Sequence, residues 1–437
     1  MKKALEYKDS NSEWIGEIPT DWEIASCRAI VFEQNNRNDK MQMENYLSLM
    51  AHIGVIPYEE KGDIGNKKPD DLKKCKIVNP GDFVINSMNY YIGSYGMSKY
   101  KGICSPVYIV LTPNESKVEP RFAFRIFENS KFQKLAQSYG NGILEHRRAI
   151  NWDILKNIKI PLPPLHIQRR VLNYLDKKTS AIDSLIANKE KLIELLKEKR
   201  QAIINEAVTK GLDKNVKMKD SGIEWIGEIP EEWEVKSFKH LFMFGRGLNI
   251  TKSDLLDEGI PCVSYGEIHS KYGFEVNPEI NKLKCVDTEY LQSSPLSLLK
   301  HGDFIFADTS EDLKGSGNFT CLNSDTPIFA GYHSVIVRQK ENHCYRYLSY
   351  LFDSIGFRAQ IQSKVSGVKV FSITQGILKN ILVLLPPKKK QEMIVEYLDS
   401  KTTHINCLEN DINIQIEKLK EYKQSLISEV VTGKVMV

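Results

Sequence analysis

Phosphodiester cleavage with bound metal needs carboxylates and a lysine held on a rigid strand. The one set this sequence offers is Pro69-Asp70 with Glu115-Ser116-Lys117. Metal held there would activate a water. Glu115 and Lys117, however, stand in "TPNESK", a run of turn-formers rather than a strand. Other chemistries find less support. The chain has no G-x-x-x-x-G-K-[ST] phosphate loop, and no Asn/Asp-Pro-Pro-Tyr/Phe tetrapeptide of the amino-methyltransferase kind. "GRG" at Gly245 and "GSG" at Gly315 read as turns. The 9 histidines are dispersed, with no H-E-x-x-H and no paired spacing, so no metal site is expected. The 8 cysteines, among them Cys27, Cys104, Cys285 and Cys407, form no C-x-x-C pair and fit small buried apolar groups in a reducing cytosol. None of these sets favours catalysis over binding, and a metal-dependent nuclease, which would cleave as the purified chain alone, stays as a minor alternative.

Binding is better represented. Base edges of a DNA duplex are read by side chains with directional hydrogen bonds, and phosphates are held by Lys and Arg. The first half of the chain supplies both kinds in loop-like stretches: Asn89, Tyr90 and Tyr91; Lys99 and Lys101; His146, Arg147 and Arg148. The second half supplies Arg246, Lys252, Lys364, Ser366 and Lys369. Each alone is an ordinary surface group. The formal net charge of +4 leaves the matter to local patches.

The elements that must position these residues are duplicated. "DSNSEWIGEIPTDWEI" from Asp9 matches "DSGIEWIGEIPEEWEV" from Asp220 at 11 of 16 positions, 211 residues apart. Trp14 and Trp225, followed by Pro19 and Pro230, are expected to anchor each copy in its core. A second pair, "LPPLHIQRRVLNYLDKKTSAIDSLI" from Leu162 and "LPPKKKQEMIVEYLDSKTTHINCLE" from Leu385, closes each copy. Between these ends the two copies have diverged. The matched "GDFVINS" at Gly81 and "GDFIFAD" at Gly302 read as a turn and a strand. "SPVYIVL" at Ser105 and "HSVIVRQ" at His333 read as strands. "FAFRIFENSKFQKLAQ" at Phe122 and "RYLSYLFDSIGFRAQIQ" at Arg346 read as helices, so each head is α+β.

After each Pro-Pro comes an apolar stripe in three- and four-residue steps, interrupted by lysines. In the first it is Val171, Leu175, Ile182, Leu185, Leu192, Leu196 and Ile203; in the second Ile394, Leu398, Ile405, Leu408, Ile412, Leu419 and Leu426. Helices of about 40 residues would run roughly 60 Å. Alone, each would leave an apolar seam in water, so an antiparallel coiled coil between the two is expected, in preference to each helix folding on its own domain. The organisation that follows is two globular heads, 1–160 and 211–383, separated by spacer helices 161–210 and 384–437, with pseudo-twofold symmetry. The sequence shows no secretory signal and no run long enough to span a membrane, so a soluble cytoplasmic chain is expected.

This repeat order, with "SGIEWIGEIPEEWEV", the GDF turns and "LPPLHIQRRVLNYLD" leading into a long helix, resembles the specificity (S) subunits of type I restriction–modification systems over essentially the whole chain. The resemblance implies that each variable head is a target-recognition domain reading one half of a split double-stranded DNA site, and that the helices set the unread gap. It implies two methylation (M) subunits docked around the helices, and restriction (R) subunits. S-adenosylmethionine, ATP and Mg would sit on those partners, none on this chain. One departure is visible: where the family often has Glu-Gln after Pro-Pro-Leu, His166 and Lys388 to Lys390 intrude, with Gln168 and Gln391 retained. The alternative is a coiled-coil protein linking two protein-binding heads, which a salt titration of DNA binding separates from the first reading.

Overall fold

The computed structural model describes residues 6–65, 67–140, 148–223, 226–367, 369–435 and 437. His146, Arg147 and Trp225 lie outside the described residues. The chain divides into two compact units: Met1–Glu190 with Asn413–Val437, and Lys191–Ile412.

In the first unit the repeated word is part of the frame. Glu17–Pro19 pairs antiparallel with Tyr7–Asp9. Trp14 is buried, and its indole N–H donates to the Lys159 carbonyl at 2.8 Å. That bond satisfies the polar edge of a ring otherwise sealed in apolar contacts. A four-stranded antiparallel sheet follows, in the order Val31–Glu33, Tyr108–Pro113, Phe83–Asn86, Tyr95–Met97. Its core holds Phe83, Phe122, Ile126, Phe127 and Phe132. The stretch read as one helix from Phe122 is two, Pro120–Glu128 and Ser130–Ser138. Asn129 is the reason: its side-chain oxygen accepts from the backbone N–H groups of Lys131 and Phe132, capping a new helix instead of continuing the old one.

The second unit repeats this plan with additions. Its main sheet has five strands, ordered Phe242–Arg246, Ser334–Gln339, Phe304–Ala307, Phe319–Leu322, Phe274–Val276, the last pair parallel. Phenylalanines 238, 242, 304, 306, 319, 352 and 357 pack into one cluster beneath it. Again a single expected helix is split, into Tyr345–Asp353 and Ile355–Gln362, with the Ser354 hydroxyl accepting from Phe357 N–H. The GDF turns match. Gly81 and Gly302 take positive φ (94° and 79°), which a side chain would resist. The buried Asp82 accepts from Asn79 N–H and Thr112 Oγ1, while the buried Asp303 accepts from Lys300 N–H and the Arg338 guanidinium.

The two long helices are Leu165–Lys210 and Lys388–Val431. Each begins later than the expected 161 and 384, because Lys159–Leu162 and Leu382–Leu385 are strands paired with Glu23–Ser26 and Glu234–Ser237. In the first unit, Val171, Leu175 and Ile182 share a core with Leu426, Ile427 and Val430. Lys423 reaches Asp183 at 2.7 Å and Lys189 reaches Gln415 at 2.6 Å. As one helix advances the other recedes, so the pairing is antiparallel. In the second unit, Ile204 and Ala207 share a core with Leu398 and Ile394 in the same sense.

The seam departs from the expected stripe at three leucines. Leu185, Leu192 and Leu408 are exposed, at 49%, 45% and 37%. Ile193, Ile412 and Ile416 are buried, and Ile186 is partly buried against the core. Leu196, Ile203 and Leu419 are half-buried. Buried Thr179 and Thr402 hold seam positions, so the four-residue steps run 175–179 and 398–402. Reading only apolar letters misses those two positions; beyond Ile182 in the first helix the buried face lies one residue after the expected leucines, at Ile186 and Ile193.

Candidate nucleic-acid interface

The second unit carries an open cleft of about 910 Å³ at the end of its main sheet. Three segments converge on it: the end of the strand Phe242–Arg246 and the loop after it, the turn leading into Ser334–Gln339, and the segment from Ser372 to Gly376. Backbone pairing forces the convergence. Arg246 lies opposite Val335 and Ala307 opposite Ser334, while Ile373 N–H donates to the Asp308 carbonyl at 2.7 Å. Arg246 therefore reaches the cleft as expected. Asn249, Thr309, His333, Thr374 and Gln375 join it. These are hydrogen-bonding side chains with Asp308 as the one acidic lining group. The set suits directional recognition rather than charge neutralisation.

Lys252, Lys364, Ser366 and Lys369 are exposed and do not line the cleft. Lys364 donates to the Asn380 carbonyl at 3.1 Å, and Lys252 opens a single turn held by a Thr251–Asp254 capping box.

The first unit has the same frame at the matching place. Ile150 N–H donates to the Ser87 carbonyl at 3.0 Å, as Ile373 does to Asp308. Asn151 caps the helix Trp152–Leu155, as Thr374 caps Gln375–Lys379. Strand register carries the exposed Asn35 and Asn36, Val107 and Asn89 to this one sheet end. Where the second unit has Arg246, Asp308 and His333, the first has Asn35, Ser87 and Val107.

Of the remaining expected residues, Tyr91, Lys99 and Lys101 are exposed. Lys99 borders a separate cleft of about 410 Å³ with His52, Gly93 and Glu128. Arg148 is half-buried and donates to the Ser138 carbonyl at 3.2 Å, closing a helix end. Tyr90 is a correction. It is fully buried, its hydroxyl donates to the Phe127 carbonyl at 2.5 Å, and its ring meets Tyr95 edge-on. It is a core residue because Gly93, at φ 88°, folds the turn so that its neighbours Asn89 and Tyr91 face out while Tyr90 points in.

His333, Thr309, Asn249 and Gln375 escaped the sequence reading. The apolar run read as a strand starts at His333, but the strand begins at Ser334 and His333 sits at φ 54°. Its place after Gly331-Tyr332 was the available signal, since a glycine before a short polar run marks a turn.

Among the described residues no cluster of His, Cys, Asp and Glu could hold a metal ion, and no helix is long and apolar enough to cross a membrane.

Comparison with known proteins agrees with the repeat. The family model described as type I restriction modification DNA specificity domain matches residues 22–195 and again 230–418. The type I restriction enzyme MjaVIII specificity subunit of Methanocaldococcus jannaschii is 26% identical, over 99% of this chain and 97% of its own. The EcoKI specificity subunit of Escherichia coli is 23% identical, over 96% and 90%. Among solved structures, a type I R-M system studied for complex assembly and conformational transition gives a TM-score of 0.70 at 17% identity, covering 96% of this chain and 99% of that one. The HsdS subunit of Thermoanaerobacter tengcongensis gives 0.51 at 16% identity, covering 98% and 100%. Two matched domains, full-length relatives and a shared fold lead to one conclusion: this chain belongs to the type I restriction–modification specificity subunits.

Proposed function

We propose that each unit reads one half of a bipartite double-stranded DNA target, and that this chain directs the chemistry of partner subunits without performing any. The observation that carries the reading is the pair of matched sheet ends. They share backbone frame, a side-chain helix cap at the same place and the cross-connection, yet present different side chains. A retained frame that presents different side chains at the same sheet end is what two readers of different half-sites require. The long paired helices suit a spacer that sets the unread gap, and their exposed leucines suit docking by methylation subunits, which carry S-adenosylmethionine and modify adenine. Restriction subunits, with ATP and Mg, complete the assembly. The chain works beside DNA, which places it in the cytoplasm.

The test is to map methylated adenines in host DNA with and without this chain, its partners present throughout. A set of methylated sites sharing one split sequence, lost on deletion of the chain, supports the reading. Methylation unchanged by the deletion rejects it.

A further inference from the structure

Resting on that reading, we infer that His333 is a specificity-determining residue of the second unit, and that it accepts a hydrogen bond from an exocyclic amine on a base edge. The geometry is particular. His333 holds φ 54°, the left-handed region that L-residues other than glycine rarely adopt. Glycine would adopt it freely. Such an outlier on an exposed residue points to use of its side chain. The side chain lines the cleft and is 58% exposed, so the strain is not repaid by burial.

The ring is nonetheless held. Nδ1 lies 3.2 Å from Asp308 Oδ1. Tyr265 and Tyr332 meet it edge-on at 5.3 and 6.0 Å. Asp308 is itself fixed: its N–H donates to the His333 carbonyl at 3.1 Å, its carbonyl accepts from Ile373, and the same Oδ1 accepts from Thr309 Oγ1 at 2.8 Å. An ionised carboxylate only accepts, so the ring proton must sit on Nδ1. In a neutral imidazole this leaves the Nε2 lone pair for a ligand. In the major groove the donors that match an acceptor are adenine N6 and cytosine N4; guanine and thymine present acceptors at the corresponding place. His333 therefore selects an amino base, with Asp308 as its positioning residue.

The experiment uses the complete complex in cells, reading the methylated sequence genome-wide for wild type, His333→Ala, His333→Gln and Asp308→Asn. Wild type is expected to require one particular base pair at a position of one half-site, A·T if the amine is adenine N6 and G·C if it is cytosine N4. His333→Ala should relax discrimination there roughly tenfold, the scale of one lost specific contact, with every other position unchanged. His333→Gln, which keeps an acceptor, should retain part of the preference. Asp308→Asn should relax the same position and no other. A variant sequence identical to wild type overturns the inference, as does a loss spread evenly over all positions. If wild type itself marks no shared sequence, it is the half-site reading above that fails.

Discussion

Gln168 and Gln391 are the retained letters of the sequence at each helix start, and the structure shows their use. The fully buried Gln168 accepts from Glu119 N–H at 2.8 Å and donates to the carbonyls of Pro163 and Lys117. Gln391 accepts from Cys344 N–H at 3.0 Å and donates to the Pro386 carbonyl. Each pins a long helix to its own head. The intruding His166, two positions before Gln168, is exposed. Removing the Gln168 side chain strands buried backbone groups, so Gln168→Ala should cost about 2–4 kcal/mol, whereas His166→Ala should stay within about 0.5 kcal/mol; chemical denaturation measures both. A second prediction concerns thiols. Burial pushes Cys104 and Cys262 up to about 12, and six of the eight cysteines are buried. Raised values leave little thiolate at neutral pH, and thiolate is the reactive form. A maleimide should label the exposed Cys407 in the native protein, with Cys104 and Cys262 labelled only after unfolding, as read by mass spectrometry.

At the scale of elements, the paired helices make the sharpest test of packing. Ile182 is 6% exposed and Leu185 is 49%, although both looked like seam letters. Ile182→Ala should lose about 2–4 kcal/mol, the usual cost of a buried aliphatic truncation. Leu185→Ala should lose well under about 1 kcal/mol. Equal losses would put the seam back on the simpler stripe. The short helices teach the same lesson in reverse. Asn129 and Ser354 look like tolerable interior residues of one apolar helix, but their side chains compete for backbone N–H groups and restart the helix.

For the whole molecule, the proposal makes the two readers separable. Exchanging 211–383 for the matching stretch of a relative should change one half of the methylated sequence and leave the other intact. Changes in both halves would argue against independent readers. The helices should behave as a spacer. Because they pair antiparallel, seven residues, about two turns, must be inserted in both, after Glu190 and after Ile412. The unread gap should then widen, or methylation should cease, with the bases read unchanged. A fixed gap at full activity would remove the spacer role.

Duplication, the α+β character of each head, the two long helices and the family were legible in the letters. Each rests on local signals: a repeated hexapeptide, strand-length apolar runs between turns, and a Pro-Pro followed by a sustained apolar stripe. Tertiary structure decided the rest. Tyr90 and Asn89 are neighbours in sequence, and only the fold of their turn sends one into the core and the other to the surface. Thr179 and Thr402 are buried at seam positions although neither is apolar. His333, Arg246 and Gln375 meet because strands far apart in the chain pair in a fixed register, and no short-range pattern encodes that meeting.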